Sequence, residues 1–278
     1  MHTNNYLFRN CTIAAAALAA LLAPIRPAFA QVGLGLNPMR VEFPAVPGRP
    51  YSGSLMLSNS TTVKIRVKVE LLDFFVDAAM TPQFVANAPG ERPWSCRDWL
   101  SVNPMEVELG PESQTPARFT VRVPADAAER SFHCSIAFLT VPVVTEQENS
   151  TGVVTAVRMV ATLYPTVGKP QIRGEIKDIK LEQIPSGSDS AWRAIVVMEN
   201  TGQVLYRPAG DVDVLDTAGN LIESAKLTSF PTLPMREQRY LVPIKANLAP
   251  GQYTLRARIE VGAEVQEASA AVTADAVK

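Results

Sequence analysis

Histidine and cysteine are scarce in this chain, and neither sign of charge predominates. Its 278 residues include two histidines, three cysteines, 26 lysines and arginines, and 27 aspartates and glutamates. The near-neutral balance excludes the basic stripe that nucleic-acid recognition requires. A multi-histidine metal site is excluded as well, because only His133 lies beyond the first thirty residues.

The motifs of common cofactor and catalytic sites are also missing. The sequence has no phosphate-binding loop, no glycine-rich dinucleotide fingerprint and no zinc motif. His133 has no catalytic triad readable around it, and the neighbouring Cys134 points to the opposite face of a strand. We therefore expect a protein that is not an enzyme, with no cofactor, no metal and no small-molecule substrate. His133 is interpreted as an ordinary strand residue.

The first thirty residues are typical of a secretory signal peptide. Arg9 precedes an apolar run at Ile13–Ala23, and Ala28-Phe29-Ala30 forms a small-residue cleavage signal. A membrane span needs about 20 apolar residues, so this run is too short, and no later stretch is apolar enough. We expect residues 1–30 to be removed and the exported protein to have no stable membrane insertion.

Two cysteines remain after cleavage, Cys96 and Cys134. An even number of cysteines in an oxidising compartment predicts a disulfide. Closing this loop of about 39 residues is worth roughly 3–4 kcal/mol in the chain-entropy model. Trp94 and Trp99 flank Cys96, and we expect both indole rings to pack beside it rather than to bind a ligand.

Beyond residue 30 the sequence is typical of strands and turns. The stretch Val63–Leu72 alternates apolar and charged residues, as a half-buried antiparallel strand does. Asp77–Cys96 is rich in proline and alanine and is interpreted mainly as loop, and Pro165–Pro170 as a short hinge. About seven strand patterns precede the hinge, and seven follow it. The second set is Ile172–Ile184, Trp192–Glu199, Val204–Leu215, Leu221–Phe230, Glu237–Ile244, Tyr253–Val261 and Val265–Val272.

These patterns predict an all-β fold of two tandem immunoglobulin-like β-sandwich domains, at residues 31–166 and 167–278, after a cleaved signal peptide. The two halves share a motif in which an asparagine ends a strand and a tight connection begins the next. Asn59 is followed by Val63, and Asn200 is followed by Val204. An asparagine suits such a corner because its side chain bonds nearby backbone.

The stretch Val153–Tyr164 is predicted to be a long strand that closes the first domain and faces the next. Side chains alternate along a strand, so its two faces differ. One face carries Val153, Thr155, Val157, Met159, Ala161 and Leu163, and the other carries Val154, Ala156, Arg158, Val160, Thr162 and Tyr164.

Four stretches of the first domain carry a resemblance to a known family. They are Met39–Phe43, Leu109-Gly110-Pro111 before Ala117–Pro124, Ser131–Pro142 and Val153–Tyr164. In this order they resemble the periplasmic pilus- or fimbrial-assembly (PapD-like) chaperone superfamily, of which the chain looks like a divergent member. The resemblance implies a periplasmic chaperone that caps exported pilus-like subunits. In that family the last strand of the first domain lends apolar side chains to a subunit, which is strand addition at a sheet edge.

The resemblance also implies particular site residues. The donor residues correspond to Val153, Thr155 and Val157, with Met159 next in the row. Arg40 matches the arginine that anchors the subunit's terminal carboxylate, and a guanidinium suits a carboxylate bidentately. Thr162 stands where the family has a lysine, and Arg158 is the nearest positive charge within the strand.

Three hypotheses follow from the sequence. The first is a chaperone-like protein that binds a partner's strand along Val153–Val157, with the partner's carboxylate held at Arg40 or with help from Arg158. The second is a non-catalytic structural or adaptor protein of the cell envelope, in which the closing strand is ordinary sheet. A hydrolase or metal-binding domain is the third. An edge-exposed strand with its odd-numbered face open favours the first hypothesis, and a strand covered on both sides favours the second.

Overall fold

Strands make up nearly all the regular structure of the protein. The computed structural model describes residues 33–77, 81–141, 156–184 and 192–275, so the predicted signal peptide lies outside the described residues. Ten strands precede residue 170: β1 Leu34–Asn37, β2 Arg40–Ala45, β3 Pro50–Asn59, β4 Ile65–Val76, β5 Pro82–Val85, β6 Leu100–Asn103, β7 Glu106–Leu109, β8 Gln114–Arg122, β9 Cys134–Val141 and β10 Arg158–Val167. Seven follow: β11 Glu175–Gln183, β12 Trp192–Glu199, β13 Ala209–Leu215, β14 Leu221–Lys226, β15 Glu237–Ile244, β16 Gly251–Val261 and β17 Glu264–Ala274.

The first ten strands form two facing sheets. One has the order β1-β3-β8-β6, and the other has the order β2-β10-β9-β4-β5, with β7 also paired to β4. Alternation supplies the core between them, because every second side chain of β3 and β8 points inward. Leu55, Leu57, Phe119 and Val121 are buried in this way. The chain changes sheets at its start, since β1 pairs with β3 whereas β2 pairs with β10.

The disulfide predicted between Cys96 and Cys134 is confirmed. The two residues are bonded, their Cα atoms are 5.2 Å apart, and both side chains are fully buried in the first core. Trp99 packs against the core that contains the disulfide, and the expected packing of Trp94 beside it stays a prediction. Trp99 lies against Phe132, with ring centroids 4.4 Å apart, and Trp94 lies beneath the guanidinium of Arg130.

The second set of strands forms another pair of sheets, with the orders β11-β12-β15 and β14-β13-β16-β17. All seven strands predicted after the hinge are present, and β12 and β15 have the predicted bounds. Trp192, Val196, Met198, Val242 and Leu255 contribute to a core of their own. The all-β fold of two tandem sandwiches is therefore confirmed. The predicted domain limits stay predictions.

The repeated asparagine motif has one geometry in both sandwiches. The side-chain amide of Asn59 donates to the carbonyl of Val63 at 2.7 Å, and that of Asn200 donates to the carbonyl of Val204 at 2.8 Å. Each side-chain carbonyl accepts from the backbone N–H two residues later, on Thr61 or Gly202. Both side chains are buried. The same set of asparagine hydrogen bonds therefore stabilises the equivalent connection between strands in each sandwich.

Two predictions about the first sandwich need correction. The predicted loop Asp77–Cys96 contains the short strand β5 and a 3-10 helix at Pro89–Trp94. β5 is held by β4, and the rings of Phe74 and Phe84 stack between them with centroids 5.3 Å apart. These are tertiary contacts that a proline-rich sequence does not reveal.

The predicted hinge also begins too early. β10 continues through Pro165 to Val167, because the carbonyl of Pro165 accepts the N–H of Phe132 at 2.8 Å and the missing proline N–H is not required. In the described part of the chain, no helix is long and apolar enough to cross a membrane.

Candidate functional site

Strand β10 has a neighbour on both sides over only part of its length. It pairs in antiparallel fashion with β9 from Arg158 to Leu163, and in parallel fashion with β2 from Thr162 to Val167. Among the described strands, the segment Arg158–Ala161 therefore has no partner on the β2 side. We call this segment the free edge.

Within the described ranges, the backbone of the free edge has hydrogen-bonding groups that pair with no other strand. In β10 the odd-numbered residues bond towards β9, as Val157 shows by accepting the N–H of Thr140 at 2.9 Å. Even-numbered residues bond towards β2, as Thr162 shows by donating its N–H to the carbonyl of Met39 at 3.0 Å. Because the directions alternate, the amides and carbonyls of Arg158 and Val160 point out of the sheet edge. Such a row is a template for another strand.

The odd-numbered face of β10 is progressively covered by the first sandwich itself. Ala161 and Leu163 are fully buried in the first core, whereas Val157 and Met159 are only partly buried against it. The predicted donor residues Val153 and Thr155 lie outside the described residues. The assignment of Val153, Thr155, Val157 and Met159 to partner binding thus stays a prediction.

Arg40 and Thr162 are brought together. They are direct partners across the parallel β2–β10 ladder, so the two positions singled out by the resemblance lie side by side at the end of the free edge. The side chain of Arg40 is 60% exposed and points away from the core, on the same side of β2 as Glu42. Thr162 brings no charge, and its hydroxyl lies 3.4 Å from the carbonyl of Met39.

Arg158 is engaged elsewhere. Its guanidinium forms an ion pair with Glu70 of β4 at 3.0 Å, across the outer face of the sheet. Four residues of strand, about 13 Å at 3.3 Å per residue, separate it from Thr162. Arg158 is therefore placed to flank a strand added at the free edge, but not to join Arg40 in holding one carboxylate.

A second cation near Arg40 comes from the second sandwich and was not predicted. Arg207 forms an ion pair with Glu42, and the same carboxylate oxygen lies 3.5 Å from Nε of Arg40. The guanidinium of Arg207 lies over the ring of Tyr164, 5.0 Å from its centroid. Burial raises the pKa of Tyr164 above its ordinary value, so its ring stays neutral beneath the cation. No sequence signal marks Arg207, because tertiary packing alone brings it to β2.

A cleft of about 340 Å³ adjoins this group of charges. Its walls come from β2, from the end of β10 and from Leu205 of the second sandwich. They include Glu42, Phe43, Pro44, Tyr164, Thr166 and Leu205. Glu42 is the one charged residue in this lining.

Contacts between the two sandwiches hold Arg207 in place. Phe74 and Tyr164 of the first sandwich are buried in one apolar cluster with Leu233 of the second. The N–H of Leu205 donates to the hydroxyl of Ser131 at 2.6 Å, two residues before Arg207. Arg207 is therefore part of a packed junction, and its side chain is only 17% exposed.

A further ion pair crosses the same junction. Arg236 of the second sandwich contacts Glu91 at 2.7 Å, and the other carboxylate oxygen of Glu91 lies 3.4 Å from Nε2 of His133. His133 is buried, at 1% exposure. Across the described ranges, no three His, Cys, Asp or Glu side chains converge as metal ligands would.

Comparisons with known proteins give structural similarity only. No family model matches the sequence, and no curated protein matches it. The solved structures to which the chain is similar include many fimbrial chaperones. The YadV chaperone is 12% identical, with 86% of this chain and 99% of that chain covered and a TM-score of 0.44. The class 5 fimbriae chaperone CfaA is 13% identical, with 86% and 98% covered and a TM-score of 0.45.

A third similar structure is a complex, the Salmonella enterica SafA pilin with the SafB chaperone. It is 16% identical, with 87% of this chain and 95% of that chain covered and a TM-score of 0.43. The resemblance seen in the sequence thus has counterparts among solved structures.

Proposed function

We propose that the protein is a periplasmic chaperone-like protein that binds exported pilus-like or surface-structure subunits by strand addition at the free edge of β10. This proposal is supported by the backbone N–H and C=O groups of Arg158 and Val160, which point out of the sheet edge. They lie directly before Thr162, the residue of β10 that is opposite Arg40. Main-chain hydrogen bonds give affinity in such pairing, and pockets for alternate side chains give specificity.

The position of β2 limits how far an added strand can run. A partner strand on this side of β10 meets the chain at Met39, whose carbonyl already binds Thr162. The partner's end therefore comes to Arg40, whose exposed guanidinium suits a carboxylate. Arg207 compensates for the missing lysine at Thr162, because it places a second guanidinium against the same outer face of β2.

One observation favours the alternative of a structural or adaptor protein of the envelope. At Thr162 and Leu163 β10 is paired with β9 and β2 at once, and Ala161 and Leu163 are fully buried in the first core. That part of β10 is ordinary sheet. The two hypotheses therefore differ only in what the free edge does.

A proline at residue 160 tests the difference. The N–H of Val160 points out of the edge, so Val160→Pro removes a donor that no described strand uses, and proline is tolerated at such positions. Val160→Thr keeps the N–H and the β-branched shape and is the matched control. The tagged variants are produced in the native host, and partner capture from the periplasm is quantified by mass spectrometry.

We expect Val160→Pro to lower capture of the partner by about tenfold, because a partner carbonyl loses its donor, and Val160→Thr to capture normally. Arg40→Ala should weaken capture as well. Undiminished capture by a folded Val160→Pro variant would refute strand addition at this edge and leave the adaptor hypothesis.

A further inference from the structure

The carboxylate of Glu42 lies beside Arg40 and Arg207, where a ligand carboxylate would have to bind to contact both arginines. Alternation along β2 puts Arg40 and Glu42 on the same outward face. One oxygen of Glu42, Oε1, lies 3.5 Å from Nε of Arg40 and is in direct contact with Nη1 of Arg207. A single internal carboxylate thus bridges two guanidinium groups from different sandwiches.

The two arginines differ in how firmly they are held. Arg207 is largely buried and lies over the ring of Tyr164, so its guanidinium is fixed by packing. Arg40 is mostly exposed and has only Glu42 as a recorded ion-pair partner in the described residues. Glu42 is itself 47% exposed, so its contacts are accessible to competing ions. The Arg40–Glu42 pair is exposed on both sides, and exposed ion pairs are weak enough for a ligand to replace.

We infer that Glu42 is a built-in competitor that occupies a two-arginine carboxylate site formed by Arg40 and Arg207, and that a ligand carboxylate must displace it to bind. The role of the site in capturing a subunit rests on the proposed function. The competition itself does not, because it concerns only these three side chains. With Glu42 ionised, the group carries one net positive charge, and without it two.

A purely structural role for Glu42 makes a different prediction. If the Glu42–Arg207 ion pair only holds the two sandwiches together, then removing it should have the same effects as removing the other ion pair of the junction, Glu91–Arg236. Glu91→Gln is therefore the matched control, since it deletes a carboxylate at the same junction and leaves the two-arginine site untouched. The two roles are separated by ligand affinity rather than by stability.

The experiment titrates the mature full-length chain with N-acetylglycine, which carries a free α-carboxylate, and follows the Nε–H signals of Arg40 and Arg207 by NMR, so that a variant lacking one arginine is followed through the other. We expect Glu42→Gln to bind N-acetylglycine roughly three- to fivefold more tightly than the wild type, the range of a weak exposed ion pair. Glu91→Gln should bind N-acetylglycine as the wild type does. The tighter binding of Glu42→Gln should be lost when Arg207→Ala is combined with it. N-acetylglycinamide, which lacks the charge, should not bind in any variant.

Unchanged affinity in Glu42→Gln, or an equal change in Glu91→Gln, would overturn the inference. Glu42→Thr provides a second variant if the glutamine form does not fold, and dispersed amide signals establish folding in each case. A chain-terminal source and a side-chain source are separated by comparing N-acetylglycine with N-acetylaspartate amide. Failure here leaves the Val160→Pro result intact, so the inference and the proposed function fail separately.

Discussion

Replacing Asn200 with alanine should destabilise the second sandwich more than the matching change at Asn59 destabilises the first. The amide of Asn200 donates to the carbonyls of Val204 and Thr232, at 2.8 and 3.0 Å, and its side-chain oxygen accepts the N–H of Gly202 at 2.9 Å. All three bonds are buried, so alanine takes a side-chain partner from three backbone groups that lie out of reach of water. Of these, the Thr232 carbonyl keeps a second donor, the N–H of Tyr206 at 3.4 Å.

The magnitude follows from the number of bonds and their burial. A buried hydrogen bond contributes about 1 kcal/mol net, and an orphaned buried partner costs about 1–3 kcal/mol. Three such bonds give roughly 3–4 kcal/mol for Asn200→Ala. Asn59 makes equivalent bonds to Val63, Gly110 and Thr61, and these are only partly buried. Its one buried bond, to the carbonyl of Leu109, is longer, at 3.4 Å. Water can replace the lost side chain there, so we expect about 2 kcal/mol for Asn59→Ala.

Native-state hydrogen exchange measured by mass spectrometry checks both values, because peptides from β12 report on the second sandwich and peptides from β3 on the first. Aspartate is the informative control. It keeps the acceptor for the N–H of Gly202 but points a charged oxygen at two carbonyls, so Asn200→Asp should cost at least as much as alanine at pH 7. An aspartate variant more stable than the alanine variant would refute the assignment of the amide as the donor that closes the corner.

Three further changes have defined outcomes. Replacing both Cys96 and Cys134 with alanine should lower the free energy of unfolding by about 3–4 kcal/mol, from a sequence separation of 38, and urea titration measures it. Burial alone would raise the pKa of Glu91, but His133 and Arg236 outweigh it and lower that pKa below the ordinary 4.5. Stability from ionised Glu91 is then present above pH 4.5 and lost as the pH falls, and Glu91→Gln should flatten this loss between urea titrations at pH 7 and pH 4. Gly210→Ala should cost roughly 2–3 kcal/mol in thermal unfolding, because φ is +155° and a Cβ would lie 2.1 Å from a backbone oxygen.

The sequence predicts most of the fold because alternation and turn residues act locally. The strands at Trp192–Glu199 and Glu237–Ile244 follow directly from patterns of this kind. β5 escapes prediction because it is short, begins at Pro82, and depends on β4 for its pairing. Its existence is a consequence of tertiary packing, which no window of sequence contains.

The site is predicted only in part for the same reason. Arg40 and Thr162 were singled out by resemblance, and the structure makes them cross-strand neighbours. Glu42 lies two residues from Arg40 in the sequence, yet its importance depends on Arg207, which is 165 residues away. An arginine in an irregular connection has no periodic signal. Such pairs become visible only when the two sandwiches are placed together.

The two ion pairs across the junction have the same polarity. Both carboxylates, Glu42 and Glu91, belong to the first sandwich, and both guanidiniums, Arg207 and Arg236, belong to the second. The first sandwich therefore contributes the acidic side chains of the junction and the second contributes the basic ones. A second sandwich taken from a related chain must supply both arginines to keep the two ion pairs. In a chimera that takes its second sandwich from a protein without these arginines, Glu42 would keep only Arg40 beside it and Glu91 only His133. Exchanging the acidic and basic residues of both pairs would instead give two redesigned sandwiches whose charges complement each other but not those of the natural sandwiches.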